Sequence, residues 1–270
     1  MNVDFTDKVV LVTGASAGIG ESTALLFAKL GAKLSLVGRN EANLRAVAAE
    51  CEKQKGVKPL AIVADLGTDE GVQKTAKETL EHFKRLDVLV NNAGISTRTC
   101  LQVADMATFD EVFRVDVRGV YQLTKLLVPA LIETGGNIVN VSSISGTMVV
   151  VGSLPYGMAK AALDHFTRLV ALELAPKGVR VNAVSPGVTV STIVKRMTGC
   201  TEEQYQSWLS SAASTVPMGE VCQGGDIARM IVHLASDSSR LVTGTVVPVD
   251  GGLRFSGPSN LLSQQMKRDI

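Results

Sequence analysis

The chain is expected to fold as one α/β domain, a doubly wound and mostly parallel seven-stranded sheet with helices on both faces. Short, near-continuous apolar runs alternate with longer stretches whose apolar residues recur every three or four positions. The runs suit strands buried on both faces, and the stretches suit the helices that cross between them. A glycine-rich turn joins the first strand to the first helix. The residues that bear chemistry, near positions 14, 92, 156 and 186, serve one purpose if they meet in one site, so a single domain over 1–270 is read although the length allows two.

Lys8-VVLVT runs into the turn Gly14-ASA-Gly18-I-Gly20 and then a helix that Gly31 ends. Lys33-LSLV is a second strand, 41–55 a helix, 60–64 a third strand, and 69–83 a helix that Thr68 caps. A fourth strand, Leu86-DVLV, leads into Asn91-Asn92-Ala93-Gly94; residues 95–107 read as a loop and 108–133 as a long helix, apolar over much of its girth. The fifth strand, 137–141, precedes a helix at 155–175 with Leu163, Phe166, Val170 and Leu174 as its core stripe, and 179–184 is the sixth strand. After Pro186-Gly187 an irregular, Ser/Thr-rich excursion over 188–217 leads to a helix at 226–235, a last strand at 245–249 and a polar tail at 256–270. Right-handed crossovers in such a sheet put a ligand at the carboxyl ends of the strands.

Composition narrows the class of function. With 46% hydrophobic residues the chain can bury a large core. The 27 basic and 26 acidic residues are interspersed, leaving a net charge of +1 and no footprint for nucleic acid. No apolar run reaches the roughly 18 to 20 residues that span a bilayer, and a first strand at Lys8 leaves no room for a leader. Cys51, Cys100, Cys200 and Cys222 lie far apart with no C-x-x-C pair, as suits packed thiols in the reducing cytoplasm. His82, His165 and His233 fall on expected helices without metal-ligand spacing, so no metal site is read.

Two stretches carry the chemistry. Glycines in a strand–turn–helix unit let backbone approach a pyrophosphate, and the helix start offers it free N–H groups. Farther on, Tyr156 and Lys160 lie four residues apart inside a helix, on one face. An ammonium beside a phenol favours the phenolate and draws its pKa down, so Tyr156 is suited to pass a proton near neutrality. Ser143, at the end of the strand NIVNVS, can hold a substrate oxygen; its neighbour Ser142 is the rival for that place.

Gly14, Gly18 and Gly20, Asn91-Asn92-Ala93-Gly94, Ser143, Tyr156-x-x-x-Lys160 and Pro186-Gly187, in this order, closely resemble the short-chain dehydrogenase/reductase family over residues 5 to 255. The likeness is to its 3-oxoacyl-reductase and hydroxysteroid-dehydrogenase members. It implies a Rossmann fold and hydride transfer between a nicotinamide cofactor and a carbonyl or secondary alcohol. By the same resemblance, Ser16 and Ile19 lie along the pyrophosphate and Asp65-Leu66 meet the adenine. Asn92 lines the cofactor with Gly94 and steadies the central strand, while Thr189, after Pro186-Gly187, meets the carboxamide. Lys160 also grips the nicotinamide ribose, and the family's Ser-to-Tyr spacing favours Ser143 over Ser142, which is left as strand-end structure.

The second strand ends in Gly38-Arg39, where NAD(H) enzymes carry an acidic residue. A guanidinium with space beside it suits a 2′-phosphate, so NADP(H) is expected rather than NAD(H). One position departs from the family: Phe113-RVDVRG puts Asp116 where an N-x-x-G asparagine anchors a water relay from the active-site lysine. An ionised Asp116 near Lys160 would hold the ammonium and offset part of its field at Tyr156; a side chain turned away would merely tie down backbone.

The excursion offers Ile193, Met197, Tyr205, Trp208, Leu209 and Met218, which suit either an apolar or amphipathic substrate or two short lid helices packing on the body. Val149, Val150 and Val151 would add an apolar wall. The surplus of apolar positions on helices 108–133 and 155–175 points to a homodimer or homotetramer through faces that the family commonly pairs. Two other classes of function stay open on the same fold: a catalytically weak dinucleotide-binding regulator or scaffold, and a lyase or epimerase that retains its cofactor.

Overall fold

A computed structural model describes residues 3–55 and 57–256. Seven strands, β1 (Val9–Thr13), β2 (Lys33–Gly38), β3 (Leu60–Val63), β4 (Val88–Asn91), β5 (Asn137–Val141), β6 (Arg180–Pro186) and β7 (Val246–Val249), form one sheet in the order β3-β2-β1-β4-β5-β6-β7. Every neighbouring pair is parallel. The order reverses between β1 and β4, the place where such sheets open a crevice for a ligand.

Strand alternation builds a core on each face. Val10 and Val12 of β1 join Phe27, Leu34, Leu36, Leu44 and Ile231 on one side. Val9 and Leu11 join Leu89, Leu123, Leu127 and Ile138 on the other. The first layer is closed by α1 (Gly18–Lys29), α2 (Glu41–Lys55) and α9 (Gly224–Ala235), and the second by α3 (Asp69–Phe83), α5 (Val120–Thr134) and α6 (Leu154–Leu174). Gly31 follows α1 at φ +89°, as a helix-ending glycine should, and Thr68 caps α3 by accepting from Gly71 N–H. A buried amide chain docks α5 and α6 on the sheet: Asn91 donates to Thr124 Oγ1 and Asn140 Oδ1, and Asn140 donates to Thr167 Oγ1.

Three expectations are corrected. The long helix begins earlier, as α4 (Met106–Phe113), because Asp105 accepts from the Thr108 amide at 2.6 Å and caps it. It is then interrupted by a π-helical turn over Arg114–Gly119, where Gly119 packs so close to the Leu66 carbonyl that no Cβ fits. On α6 the buried stripe is Leu163, Thr167, Ala171 and Leu174, while Phe166 and Val170 sit on its shoulder. The excursion, read as irregular chain, instead follows the lid alternative and forms two helices: α7 (Ile193–Thr198) and α8 (Glu202–Thr215), the latter opened by a capping box between Thr201 and Gln204. The polar tail lies outside the described residues from position 257 onward.

Candidate active site

The carboxyl ends of the central strands open into a cavity of about 630 Å³, well inside the range of small-molecule sites. The glycine turn is its floor. Gly14 has φ +64°, and a Cβ there would lie 2.8 Å from Asn92 Nδ2 and 2.9 Å from Ala93 Cα. Gly18 also has a positive φ, +61°. Ala17, which precedes α1, makes no side-chain cap, so the first amides of that helix have no side-chain partner, and Gly18 and Ile19 border the cavity. Gly14, Ser16, Gly18 and Ile19 line the cavity as expected. Gly20 does not line it; it lies beneath the turn, where a Cβ would strike the Gly14 carbonyl. Its role is to let α1 close on the turn.

Thr13 and Asn92 lock that floor to β4. Thr13 Oγ1 accepts from the amides of Asn92 and Ala93, both at 2.9 Å, and Asn92 Nδ2 donates to the Thr13 and Gly14 carbonyls at 2.8 and 3.2 Å. Asp65, Leu66, Asn92, Gly94, Pro186, Gly187 and Thr189 all border the same space. At its far end Arg39 borders the cavity half exposed, with Nη1 3.7 Å from Asp65 Oδ2, while Gly38 is pressed against Ser16.

Ser143, Tyr156 and Lys160 share the cavity wall. Ser143 Oγ accepts from the Ser145 amide at 3.2 Å, which leaves its own hydrogen free for another acceptor. Ser142 is buried and donates to the Lys160 carbonyl at 3.3 Å, as strand-end structure should. Lys160 Nζ donates to the Val141 carbonyl at 3.2 Å and lies 5.5 Å from the Tyr156 ring centre. Of the two orientations open to Asp116, the structure shows the one toward Lys160: its Oδ2 is 3.0 Å from Lys160 Nζ, and its Oδ1 accepts from the Ile95 amide at 2.8 Å. It stands behind Lys160, fully buried and off the cavity wall, and so is not placed to touch a molecule bound in the cavity. A Cβ on Gly94 would lie 3.1 Å from that carboxylate and 3.3 Å from the ammonium, so glycine there leaves the pair its room. Burial pushes the Asp116 carboxyl above its ordinary pKa despite Lys160 and the Ile95 amide. Burial also works against the Lys160 charge, but Asp116, together with Tyr156 and Asp164, outweighs it and holds the ammonium above the usual lysine value.

The excursion roofs the cavity. Ile193 and Trp208 border it; Tyr205 and Leu209 are buried in the lid itself, Met197 meets Ser96, and Met218 faces outward. The valine wall is corrected: Val149 and Val151 are 96% and 89% exposed and stand outside the cavity, because their loop bends toward residue 99, where Thr99 N–H donates to the Gly152 carbonyl. Sequence reasoning missed Ser191 and Thr192 on the roof and Asp164, a buried carboxyl beside Ser142 whose pKa burial raises. Their only signal was nearness to motifs already marked. The three histidines are exposed, and among the described residues no cluster of three metal-ligating side chains forms.

A doubly wound sheet whose switch point holds an uncapped glycine turn beside a serine, a tyrosine and a lysine defines a nicotinamide-dinucleotide oxidoreductase. A family model described as Enoyl-(Acyl carrier protein) reductase matches residues 14–254. The 3-oxoacyl-acyl-carrier-protein reductase of Thermotoga maritima is 36% identical over 247 residues, covering 91% of this chain and 97% of that protein. Among solved structures, L-sorbose reductase from Gluconobacter frateurii, complexed with NADPH and L-sorbose, superposes with a TM-score of 0.88 at 29% identity over 94% of this chain and 99% of its own. The 3-ketoacyl-(acyl-carrier-protein) reductase from Brucella melitensis, complexed with NADH, gives 0.83 at 31% over 92% and 99%. The chain belongs to the short-chain dehydrogenase/reductase family.

Proposed function

We propose that this protein is an NADP(H)-dependent oxidoreductase that interconverts a carbonyl and a secondary alcohol on an apolar or amphipathic substrate. The observation that carries the reading is the opening of Ser143, Tyr156 and Lys160 onto one cavity with the glycine turn. A nicotinamide dinucleotide bound there supplies hydride to the carbonyl carbon or accepts it from the alcohol carbon. Tyr156 gives its phenolic proton to the carbonyl oxygen, or takes it back from the alcohol, and Ser143 donates a hydrogen bond that holds that oxygen. Lys160 stabilises the charge left on Tyr156 and grips the ribose, with Asp116 behind it. Gly14, Ser16, Gly18 and Ile19 would cradle the pyrophosphate, Asp65 and Leu66 the adenine, Asn92 and Gly94 the middle of the cofactor, and Pro186, Gly187 and Thr189 the carboxamide.

The solved relatives carry NADPH and NADH alike, so the choice of cofactor rests on this chain's own residues. Arg39 borders the adenosine end with no acidic side chain at Gly38, which favours a 2′-phosphate; Asp65 at 3.7 Å offsets part of that charge. The apolar roof residues Ile193 and Trp208 support an apolar substrate. Unpaired cysteines support a cytoplasmic setting, and no helix among the described residues is long and apolar enough to cross a membrane.

A panel of apolar ketones and alcohols assayed with both cofactors tests the reading. NADPH should bind at least about tenfold more tightly than NADH, the scale of one charge-assisted contact. Tyr156→Phe should lower turnover by about a hundredfold or more while cofactor still binds. Equal affinities for the two cofactors would remove the NADP(H) assignment, and a fully active Tyr156→Phe would remove the mechanism.

A further inference from the structure

A side chain ties the roof of the cavity down at Ser191. Up to Val190 the chain leaving β6 is secured by backbone: Cys222 N–H donates to the Val188 carbonyl and Val190 N–H to the Cys222 carbonyl, both at 2.9 Å. At Ser191 a side chain takes over. The Tyr205 hydroxyl accepts from Ser191 N–H at 3.0 Å and donates to the Ser191 carbonyl at 2.8 Å, so one phenol satisfies both backbone groups of one residue. Ser191 in turn rests on the glycine turn, its Cβ 3.3 Å from where a Cβ on Gly18 would stand, and both residues border the cavity.

Tyr205 is itself braced. It is 3% exposed, stacks on Trp208 with ring centres 6.0 Å apart, and has Lys195 Nζ over its ring at 4.6 Å from the centre. Lys195 is paired with Glu202 at the start of α8. The hydroxyl is thus carried by α8 and aimed at Ser191, the part of the roof that lies against Gly18 of the turn expected to cradle the pyrophosphate.

We propose that Tyr205 is a latch for the cofactor: its hydroxyl pins Ser191 onto Gly18, closes the roof over the pyrophosphate, and limits how fast the dinucleotide leaves. This rests on the reading of the cavity as a dinucleotide site. Tyr205 touches no reacting atom and is a positioning residue.

Trp208 is the protein's single tryptophan and borders the cavity, so its fluorescence reports binding directly. In stopped-flow measurements NADPH should dissociate from Tyr205→Phe about tenfold faster than from the parent, the scale of losing two backbone hydrogen bonds. Association should change by less than about twofold, and the KM for NADPH should rise while that for the carbonyl substrate stays within about twofold. In the unmodified protein, amide exchange over residues 188–193 should be slowed at Ser191 before any cofactor is added, a measurement that stands whether or not the variant folds. A parent whose Trp208 responds to neither NADPH nor NADH would overturn latch and dinucleotide reading together. A responsive parent with an equal dissociation rate in the variant, or with a freely exchanging Ser191 amide, would overturn the latch alone.

Discussion

At Lys160 an ammonium is held in a nearly closed space by the Val141 carbonyl and the Asp116 carboxylate, with the Tyr156 ring beside it. Asp116 is the group that makes this tolerable, since breaking a buried pair by removing one partner leaves a charge uncompensated. Asp116→Asn keeps the side-chain shape and its oxygen can still accept from Ile95 N–H, but the counter-charge is gone. Burial then acts on Lys160 unopposed by its main partner, and its pKa falls. The alkaline limb of the alcohol-oxidation pH profile, where Lys160 gives up its proton, should therefore move to lower pH in the variant. With its pKa raised in the folded parent, Lys160 also contributes stability that is present below the ordinary lysine value and lost as pH rises through the folded value. That contribution should shrink in Asp116→Asn, read from denaturant melts at alkaline pH. Tyr156 and Asp164 belong to the same cluster, so the limb reports the cluster as a whole. A profile identical to the parent's would show that the carboxylate charge is not felt in catalysis. The identity of Asp116 as a departure was legible in the sequence; its direction was not, because the π turn that aims it depends on Gly119 meeting Leu66, fifty-odd positions away in the chain.

Among the elements, β1 and β4 are stapled at their amino ends by Asp87. Its carboxylate accepts from Val9 N–H at 2.9 Å and from Arg85 at 2.7 and 2.9 Å, with Lys8 at 3.5 Å. Burial opposes its charge, yet Arg85, the Val9 amide and Lys8 together hold the pKa below the ordinary aspartate value. A depressed carboxylate contributes stability that is present above its unfolded pKa and lost as pH falls through the folded one. Asp87→Ala should cost about 3 kcal/mol near neutrality, the low end for breaking a buried pair because Arg85 and Lys8 are half exposed. The deficit should narrow toward pH 3, which urea melts at both pH values would show; an unchanged deficit would mean that the staple acts through packing rather than charge. Thr201-EE-Gln204 is a capping box in plain view, so α8 was legible, whereas the six-residue α7 has no comparable signal.

For the whole molecule, the outer faces of α5 and α6 carry Tyr121, Met158, Leu169 and Leu172, the last 79% exposed. Tyr121 and Phe166 meet across the two helices at 6.0 Å, so the apolar surface passes from one helix to the other. Such a face matches the expected pairing of copies about a twofold axis. Light scattering should report a dimer or tetramer at micromolar protein, and Leu169→Glu with Leu172→Glu should lower the mass by at least half. A parent that is a stable monomer would refute the pairing.

The order of the motifs, through the family it resembles, implied that Gly14, Asn92, Ser143, Tyr156, Lys160 and Gly187 meet around one cavity; periodicity, glycine placement and helical spacing by themselves pointed to the parallel seven-stranded sheet, its glycine turn and the shared helix face of Tyr156 and Lys160. These follow from local rules, since a buried strand, a glycine at positive φ and a four-residue helical offset each act over a few positions. The tertiary structure alone decided that Gly20 packs beneath the turn, that Val149 and Val151 face away from the cavity, and that Tyr205 reaches back to Ser191. Each of those depends on the path taken by chain in between, where a shift of one residue or a fraction of a turn re-aims the side chain, and no nearest-neighbour pattern encodes that path.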